Sequence, residues 1–189
     1  MERFHLVGIK GTGMAALAGI LQDLGHDVTG SDVPEDFFTS KKLKERNIPV
    51  LPFRKENIEE GKTYIASSCY REDNVEVGEI LKRKLPFYYY HEFIENFFKN
   101  IKIGISGTHG KTTTTSLVAK FFEDRRRAYL IGDGTGGADK DYEYFIFEAC
   151  EYRNHFLKYD YDFLVINNIE LDHPDFFKDE EEVVASFQQ

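Results

Sequence analysis

Gly107-Thr108-His109-Gly110-Lys111-Thr112-Thr113 directly follows the apolar run Ile101–Ser106. A strand that feeds a glycine turn and then a helix is built to hold a phosphate. The glycines let backbone N–H groups approach the anion, and the helix N-terminus presents the positive end of its dipole. Lys111 would reach the β- and γ-phosphates of a nucleoside triphosphate, and the Thr112 hydroxyl would ligate Mg²⁺. The pattern is abbreviated. Ile105 stands where G-x-x-x-x-G-K-[ST] has its first glycine, which leaves G-x-x-G-K-T. A threonine-rich turn with no ligand is the alternative reading.

A second phosphate signal lies at Gly8-Ile9-Lys10-Gly11-Thr12-Gly13-Met14-Ala15-Ala16. Gly11-x-Gly13-x-x-Ala16 fits the dinucleotide fingerprint, and Asp32 stands 19 residues after Gly13, near where a ribose-binding acid is expected. By itself this turn fits an NAD-dependent oxidoreductase. A glycine turn that only packs a strand on a helix is the bland counterpart. The third feature is acidic. Glu148 closes the apolar run Tyr144–Glu148, and the run Phe163–Ile166 leads to Glu170, Asp172, His173 and Asp175. A carboxylate and an imidazole at adjacent strand ends beside a phosphate loop would complete a divalent-metal site; a loop of solvated acids with a surface histidine is the other reading.

The elements that must position these residues follow a β–α rhythm. Arg3–Ile9 reads as a strand, Gly13–Leu24 as a helix with Met14, Leu17, Ala18, Leu21 and Leu24 on one face, and Gly25 as its stop. Further strands are expected at Asp27–Ser31, Val50–Leu51, Thr63–Ala66 and near Phe87–Tyr88, with helices at Ser40–Arg46 and Asn74–Arg83 between them. A second unit begins near Asn100, with strands at Ile101–Ser106, Ala128–Ile131, Tyr144–Glu148 and Phe163–Ile166; Gly132–Gly137 reads as a mobile loop. The rhythm predicts an α/β fold, a Rossmann-like parallel-sheet domain over residues 1–98 followed by part of a P-loop α/β domain over 99–189.

Composition narrows the function classes. A net charge of -9 with no long run of like charge argues against nucleic-acid binding. No apolar stretch reaches spanning length and no signal-peptide pattern opens the chain, so a membrane partner is not expected. Two cysteines, Cys69 and Cys150, make no disulfide framework, which favours a reducing, cytoplasmic setting. A catalytic thiol at Cys69 is not expected, and Cys150 is read as packing beneath the metal site. His5, inside a strand, is read as a packed side chain.

The three motifs in this order resemble the Mur ligases, ATP-dependent amide-forming enzymes of peptidoglycan precursor synthesis. The resemblance rests on Gly8–Ala16, Gly30-Ser31-Asp32, Ser67-Ser68, the phosphate loop, Leu130–Gly136, Glu148–Arg153 and Asp172–Asp175. Within the family it is strongest to the branch that joins L-alanine to UDP-N-acetylmuramate, in the form associated with Gram-positive bacteria. It also accounts for the short phosphate loop, since that family uses the same abbreviation. Lys10, where many relatives carry glycine, is a small departure.

The resemblance implies a three-domain enzyme, of which this chain would hold the first domain and the opening of the second, and would be inactive alone with some tendency to self-associate through an exposed apolar edge. It implies ATP and Mg²⁺ as cofactors and UDP-N-acetylmuramate and L-alanine as substrates. Gly107, Thr108, His109, Gly110, Lys111, Thr112 and Thr113 would hold ATP; Thr112, Glu148 and His173 the metal; and Lys111, Glu148 and His173 would be catalytic. Gly8, Lys10, Gly11, Thr12, Gly13 and Met14 would cradle the UDP diphosphate, Asp32 would face ribose or uracil, and Ser67 and Ser68 would join them. Arg153 and His155 could contact anionic substrate groups, and His109 could touch phosphate or only shape its loop. The other readings are an NAD-dependent oxidoreductase, which leaves the phosphate loop idle, and a non-catalytic nucleotide-binding module.

Overall fold

The computed structural model describes the whole chain apart from residues 173 and 175 and the side chains of Tyr152 and Arg153. Its first half alternates β1 (Arg3–Val7), α1 (Thr12–Asp23), β2 (Asp27–Ser31), α2 (Phe38–Glu45), β3 (Val50–Leu51), β4 (Thr63–Ala66), α3 (Val75–Arg83), β5 (Phe87–Tyr89) and α4 (Tyr90–Phe97). The five strands pair in parallel in the order β3-β2-β1-β4-β5. The second half holds β6 (Ile101–Ser106), α5 (Lys111–Phe121), β7 (Arg127–Leu130), β8 (Gly136–Ala138), β9 (Tyr144–Glu148), β10 (Phe163–Ile166) and α6 (Glu180–Phe187). Its sheet runs β10-β6-β9-β7-β8, parallel except for the β7–β8 pair. In both sheets the first strand, β1 or β6, lies between partners that run to opposite sides. Ligands of open α/β sheets gather outside the carboxyl ends of the strands at such a switch point. The two glycine turns leave β1 and β6 there.

Most strands fall where the apolar runs place them, because strands covered on both faces are apolar almost throughout. Two expectations are corrected. The helix after the first turn does not bury one face only: Met14 through Leu21 are all buried. One side of α1 covers the first sheet, while the other packs on β7 and β8 of the second. Nor is Gly132–Gly137 simply a mobile loop. Its end forms β8, where Gly136 and Gly137 are buried. A Cβ on Gly136 would sit 2.8 Å from the Ala16 Cα, and one on Gly19 would sit 2.8 Å from the Gly136 carbonyl oxygen. The glycines are there for backbone approach, not for freedom.

As a result one apolar core runs through both sheets, from Phe4, Leu6 and Leu17 to Leu130, Phe145 and Phe147. Phe98, at the end of α4, stacks on Phe145 with ring centroids 3.8 Å apart. His5 is packed, as expected. It is wholly buried, its Nδ1 lies 2.9 Å from the Thr29 hydroxyl, and Glu76 faces Nε2 at 3.6 Å. Among the described residues no helix is long and apolar enough to cross a membrane. The edge strand β10 exposes every one of its four apolar side chains, led by Phe163 at 61%.

Candidate active site

The phosphate loop is shaped by what it touches. Gly107 has φ +119, and a Cβ there would lie 2.8 Å from the Asn168 carbonyl oxygen, so only glycine fits. Gly110 caps α5 with φ +77 and no side-chain hydrogen bond, so no side chain caps the orphan N–H groups of the first turn. The chain leaving β10 holds the loop from below. Thr108 N–H donates to the Asn168 carbonyl (3.1 Å), His109 N–H to Asn168 Oδ1 (2.8 Å), and Asn167 Nδ2 to the His109 carbonyl (3.1 Å). The Thr108 hydroxyl is also spoken for: it donates to the Glu170 carbonyl and accepts from the Glu170 N–H, each at 2.9 Å. The Thr108 N–H and hydroxyl are thus both engaged within the chain. Thr113 is exposed on the first turn of α5. His109 is 61% exposed and 3.9 Å from the Glu170 carboxylate.

Lys111 arches back over its own loop. Its Nζ donates to the carbonyls of Gly107 (2.7 Å) and Thr108 (3.0 Å) and pairs at 2.9 Å with Glu151, a carboxylate 1% exposed. Beside it, the Thr112 hydroxyl donates to Glu148 Oε2 at 2.9 Å, and the Gly132 N–H donates to the same oxygen at 3.0 Å. Strand β9 thus delivers Glu148 to the helix that carries Thr112, as the two motifs require. A hydroxyl and a carboxylate side by side are the hard oxygen donors that Mg²⁺ takes, and a site completed by phosphate oxygens needs few protein ligands. Among the described residues no group of three His, Cys, Asp or Glu could hold a metal unaided. His173, the expected third ligand, lies outside the described residues.

The first turn is equally specific. Gly8 (φ +84) and Ile9 donate their N–H groups to the Ser31 carbonyl at 2.8 and 3.2 Å, and Gly11 N–H closes the turn on Gly8 at 3.2 Å. Asp32, 6% exposed, spends its carboxylate on the chain itself. It accepts from the N–H groups of Lys10 (2.7 Å) and Val33 (2.8 Å) and from the Tyr70 hydroxyl (3.4 Å). Burial, then the Asp32 charge, push the Tyr70 hydroxyl up to about 12. Lys10 ties down the next segment, with Nζ on the carbonyls of Val33 (2.6 Å) and Glu35 (2.7 Å). Both residues border a cavity of about 370 Å³ floored by Ile48, Val50 and Leu51. Met14 sends its side chain into the core, which leaves it only backbone for a ligand. Ser67 Oγ accepts weakly from the Cys69 N–H (3.5 Å).

Between the two sheets lies a cleft of about 240 Å³. One wall carries Thr12, Gly13 and Ser68, and the other carries Gly132, Glu148, Cys150 and His155. Tyr90 also lines it, its hydroxyl held well above the ordinary tyrosine value by burial and by neighbours that include Tyr159 and Glu148. His91 stacks on His155 (6.0 Å) and accepts a hydrogen bond from Lys158 Nζ (3.3 Å); burial, then the Lys158 charge, lower its pKa. The structure thus brings residues of the first glycine turn and Glu148 to one cavity. The Arg153 side chain lies outside the described residues.

The motif order and this geometry have a counterpart among known proteins. Residues 3–102 match the family described as Mur ligase family, catalytic domain, and residues 105–189 match the Mur ligase middle domain. The chain belongs to the Mur ligase family. It superposes with a TM-score of 0.83 on a UDP-N-acetylmuramate–alanine ligase from Thermotoga maritima, at 24% identity, covering 100% of this chain and 46% of that one. Against the UDP-N-acetylmuramate:L-alanyl-γ-D-glutamyl-meso-diaminopimelate ligase from Neisseria meningitides the TM-score is 0.81 at 27% identity, covering 99% and 66%. A pseudomurein peptide ligase type C from Methanothermus fervidus gives 0.63 at 19% identity, covering 100% and 42%. The chain therefore spans 46% and 66% of the first two relatives.

Sequence reasoning named the two glycine turns and Glu148 but gave no supporting role to Glu151, Asn167 or Asn168. Glu151 as the partner of Lys111 was signalled only by an acid just past a buried strand. Asn167 and Asn168 directly follow the run Phe163–Ile166 and carried no role. Tyr90 packs against the core and also lines the cleft.

Proposed function

We propose that this chain carries the UDP-sugar and Mg-ATP sites of an ATP-dependent ligase that joins L-alanine to the carboxylate of UDP-N-acetylmuramate. The observation that carries this reading is the cleft in which Thr12 and Gly13 of one phosphate turn face Glu148 beside the other. In this reading residues 1–98 and 99–189 are the two domains. The diphosphate lies on the Gly8–Met14 turn, and the base enters the cavity bordered by Asp32, Val33 and Leu51. The muramoyl group then points into the cleft. ATP lies on the Gly107–Thr113 loop.

The chemistry asks two anions to meet. A carboxylate oxygen attacks the γ-phosphorus, the bond to the β-bridging oxygen breaks, and ADP leaves. The amine then attacks the acyl carbon of the acyl phosphate and phosphate departs with the bonding pair. The barrier is largely electrostatic, so positive charge must stand between the anions. Lys111 would turn its ammonium from its loop carbonyls to the γ-phosphate, and α5 contributes its free N–H groups. Thr112 and Glu148, with His173, would hold Mg²⁺, which supplies further positive charge at the phosphates. His155, and Arg153 from the same turn, would meet the substrate's anionic groups.

The acceptor is the open part of this reading. The relative that condenses UDP-N-acetylmuramate with a tripeptide shares 27% identity, against 24% for the alanine enzyme, and that supports a second reading with the tripeptide as acceptor. Calorimetry of this chain with UDP-N-acetylmuramate, Mg-ATP and NAD tests the common part. Binding of the UDP-sugar without NAD supports it, and binding of NAD alone overturns it. ATP turnover stimulated by L-alanine or by the tripeptide, measured on a chain extended to the length of these relatives, separates the two acceptors.

A further inference from the structure

We propose that α2 couples the two phosphate turns, and that Lys42 is a positioning residue for Glu148. The argument takes from the functional reading only the identity of the ligand on each side. Thr39, in the first turn of α2, donates its hydroxyl to the Lys10 carbonyl at 2.5 Å and so holds the first glycine turn. Three residues on, and therefore on the same helix face, Lys42 reaches into the other half of the molecule. Its Nζ donates to the Asp133 carbonyl (2.8 Å) and the Thr135 hydroxyl (2.5 Å), and lies 3.2 Å from the Asp133 carboxylate. Those residues belong to a tight turn closed by Ile131 N–H on the Thr135 carbonyl (2.9 Å) and by Thr135 N–H on Asp133 Oδ1 (2.8 Å). The same turn presents Gly132 N–H to Glu148 Oε2. Gly134, at φ +84, seats the turn on α2: a Cβ there would lie 2.7 Å from the Thr39 methyl.

The path is thus physical and short. Lys10 is held by Thr39, Thr39 and Lys42 share one helical turn, Lys42 holds the 131–135 turn, and that turn aims the carboxylate that accepts from Thr112. The Lys42–Asp133 pair is about half exposed, with side-chain accessibilities of 35% and 51%. Exposed pairs contribute little to stability, so this one is placed to orient rather than to hold the fold. The other crossing from this helix, Arg46 at its C-cap to the Gly136 carbonyl at 2.9 Å, anchors β8 and leaves the 131–135 turn to Lys42. A ligand that orders the Lys10 turn would thereby order Glu148, and the reverse follows by linkage.

Hydrogen exchange at single amides of this chain tests the coupling without any ligand. Lys42→Met should lower protection of Gly132 and Thr135 by roughly tenfold, with β6 amides and melting temperature unchanged. Lys41→Met, one residue away and 84% exposed, is the control and should change nothing. Unchanged protection at Gly132 in Lys42→Met overturns the positioning role. In a second arm, saturating UDP-N-acetylmuramate should raise Gly132 protection several-fold in the native chain and not in Lys42→Met. Calorimetric binding with no response at Gly132 overturns the coupling. Failure of the UDP-sugar to bind overturns the functional reading instead, and the ligand-free exchange still decides the role of Lys42.

Discussion

Lys111 does two jobs that a single substitution would confuse. Its ammonium pairs with Glu151 at 2.9 Å, the two side chains being 12% and 1% exposed, and it also donates to two loop carbonyls. Removing one member of a buried pair costs roughly 3–5 kcal/mol, whereas replacing both with apolar groups of similar volume is often neutral. Water can reach the loop carbonyls once the lysine is gone, so the lower end, about 3 kcal/mol, is expected for Lys111→Met. For a chain of this length each kcal/mol moves the melting temperature by about 2–4 °C, which gives a drop of about 6–12 °C. The double variant Lys111→Met/Glu151→Met should recover most of that loss. Neither variant should bind Mg-ATP, because no other cation of this loop can face the γ-phosphate. Circular-dichroism melts and calorimetry on the single variant, the double variant and the parent make the comparison. A single variant melting within about 2 °C of the parent, or a double variant no better than the single, would refute the argument from the buried pair.

Glu148→Gln keeps an oxygen for Thr112 and Gly132 but loses the charge; Mn²⁺ titration should show affinity at least about tenfold weaker with the melting temperature held, and equal affinity would remove Glu148 from the metal site. The His91 pKa lies below the ordinary 6.5, so the unfolded chain takes up the proton first. Stability is then intact above pH 6.5 and falls as pH drops toward the folded value. Melting at about pH 7.5 and 5.5 should show this fall, and His91→Gln should flatten it. Phe163, 61% exposed on the open edge β10, should promote self-association; light scattering over a concentration series should show Phe163→Lys more monomeric than the parent. Gly136→Ala meets the backbone of Ala16 rather than its side chain, so about 1–3 kcal/mol should be lost, and Ala16→Gly should not restore it in thermal melts.

What could be read from the sequence was local. The runs at Thr63–Ala66, Ile101–Ser106 and Tyr144–Glu148 are strands as read, because each is apolar enough to be covered on both faces, and Asp27–Ser31 is a strand as read although Val28 is its one large apolar residue. The two phosphate turns were legible for the same reason, since glycine spacing and a following helix are contained in one short window. The opposite fate of α1 was not. Its stripe of Met14, Leu17, Ala18 and Leu21 is what one buried face requires; Ala16 was read only as part of the fingerprint, and Ala15 and Gly19 carried no packing role. They are the second face, small because β8 lies against them, and β8 itself was hidden in glycines that resemble a loop. Partners far apart in the chain leave no periodic trace. Nothing near Lys111 marks Glu151, and nothing near Asp133 marks Lys42. Thr108 and Asp32 add what residue type alone does not say: their polar atoms brace the turns on which they stand.

That bracing explains how a site assembled from two sheets keeps its spacing. The first glycine turn is the N-terminus of α1, so wherever α1 goes the turn follows. The body of α1 rests on β7 and β8, and β7 pairs with β9, the strand that ends in Glu148. The separation between the two turns is therefore set by backbone approach, Gly19 against Gly136 and Gly136 against Ala16, rather than by the single covalent passage from α4 to β6. Flexible side chains at that contact would have let the two glycine turns drift. Two anions that repel each other can be brought together only if the charges that neutralise them are held in fixed places, since misplacement by about 1 Å can cost about a hundredfold in rate. The small residues of α1 and the glycines of β8 supply that rigidity. The α2 contacts then adjust Glu148 within it.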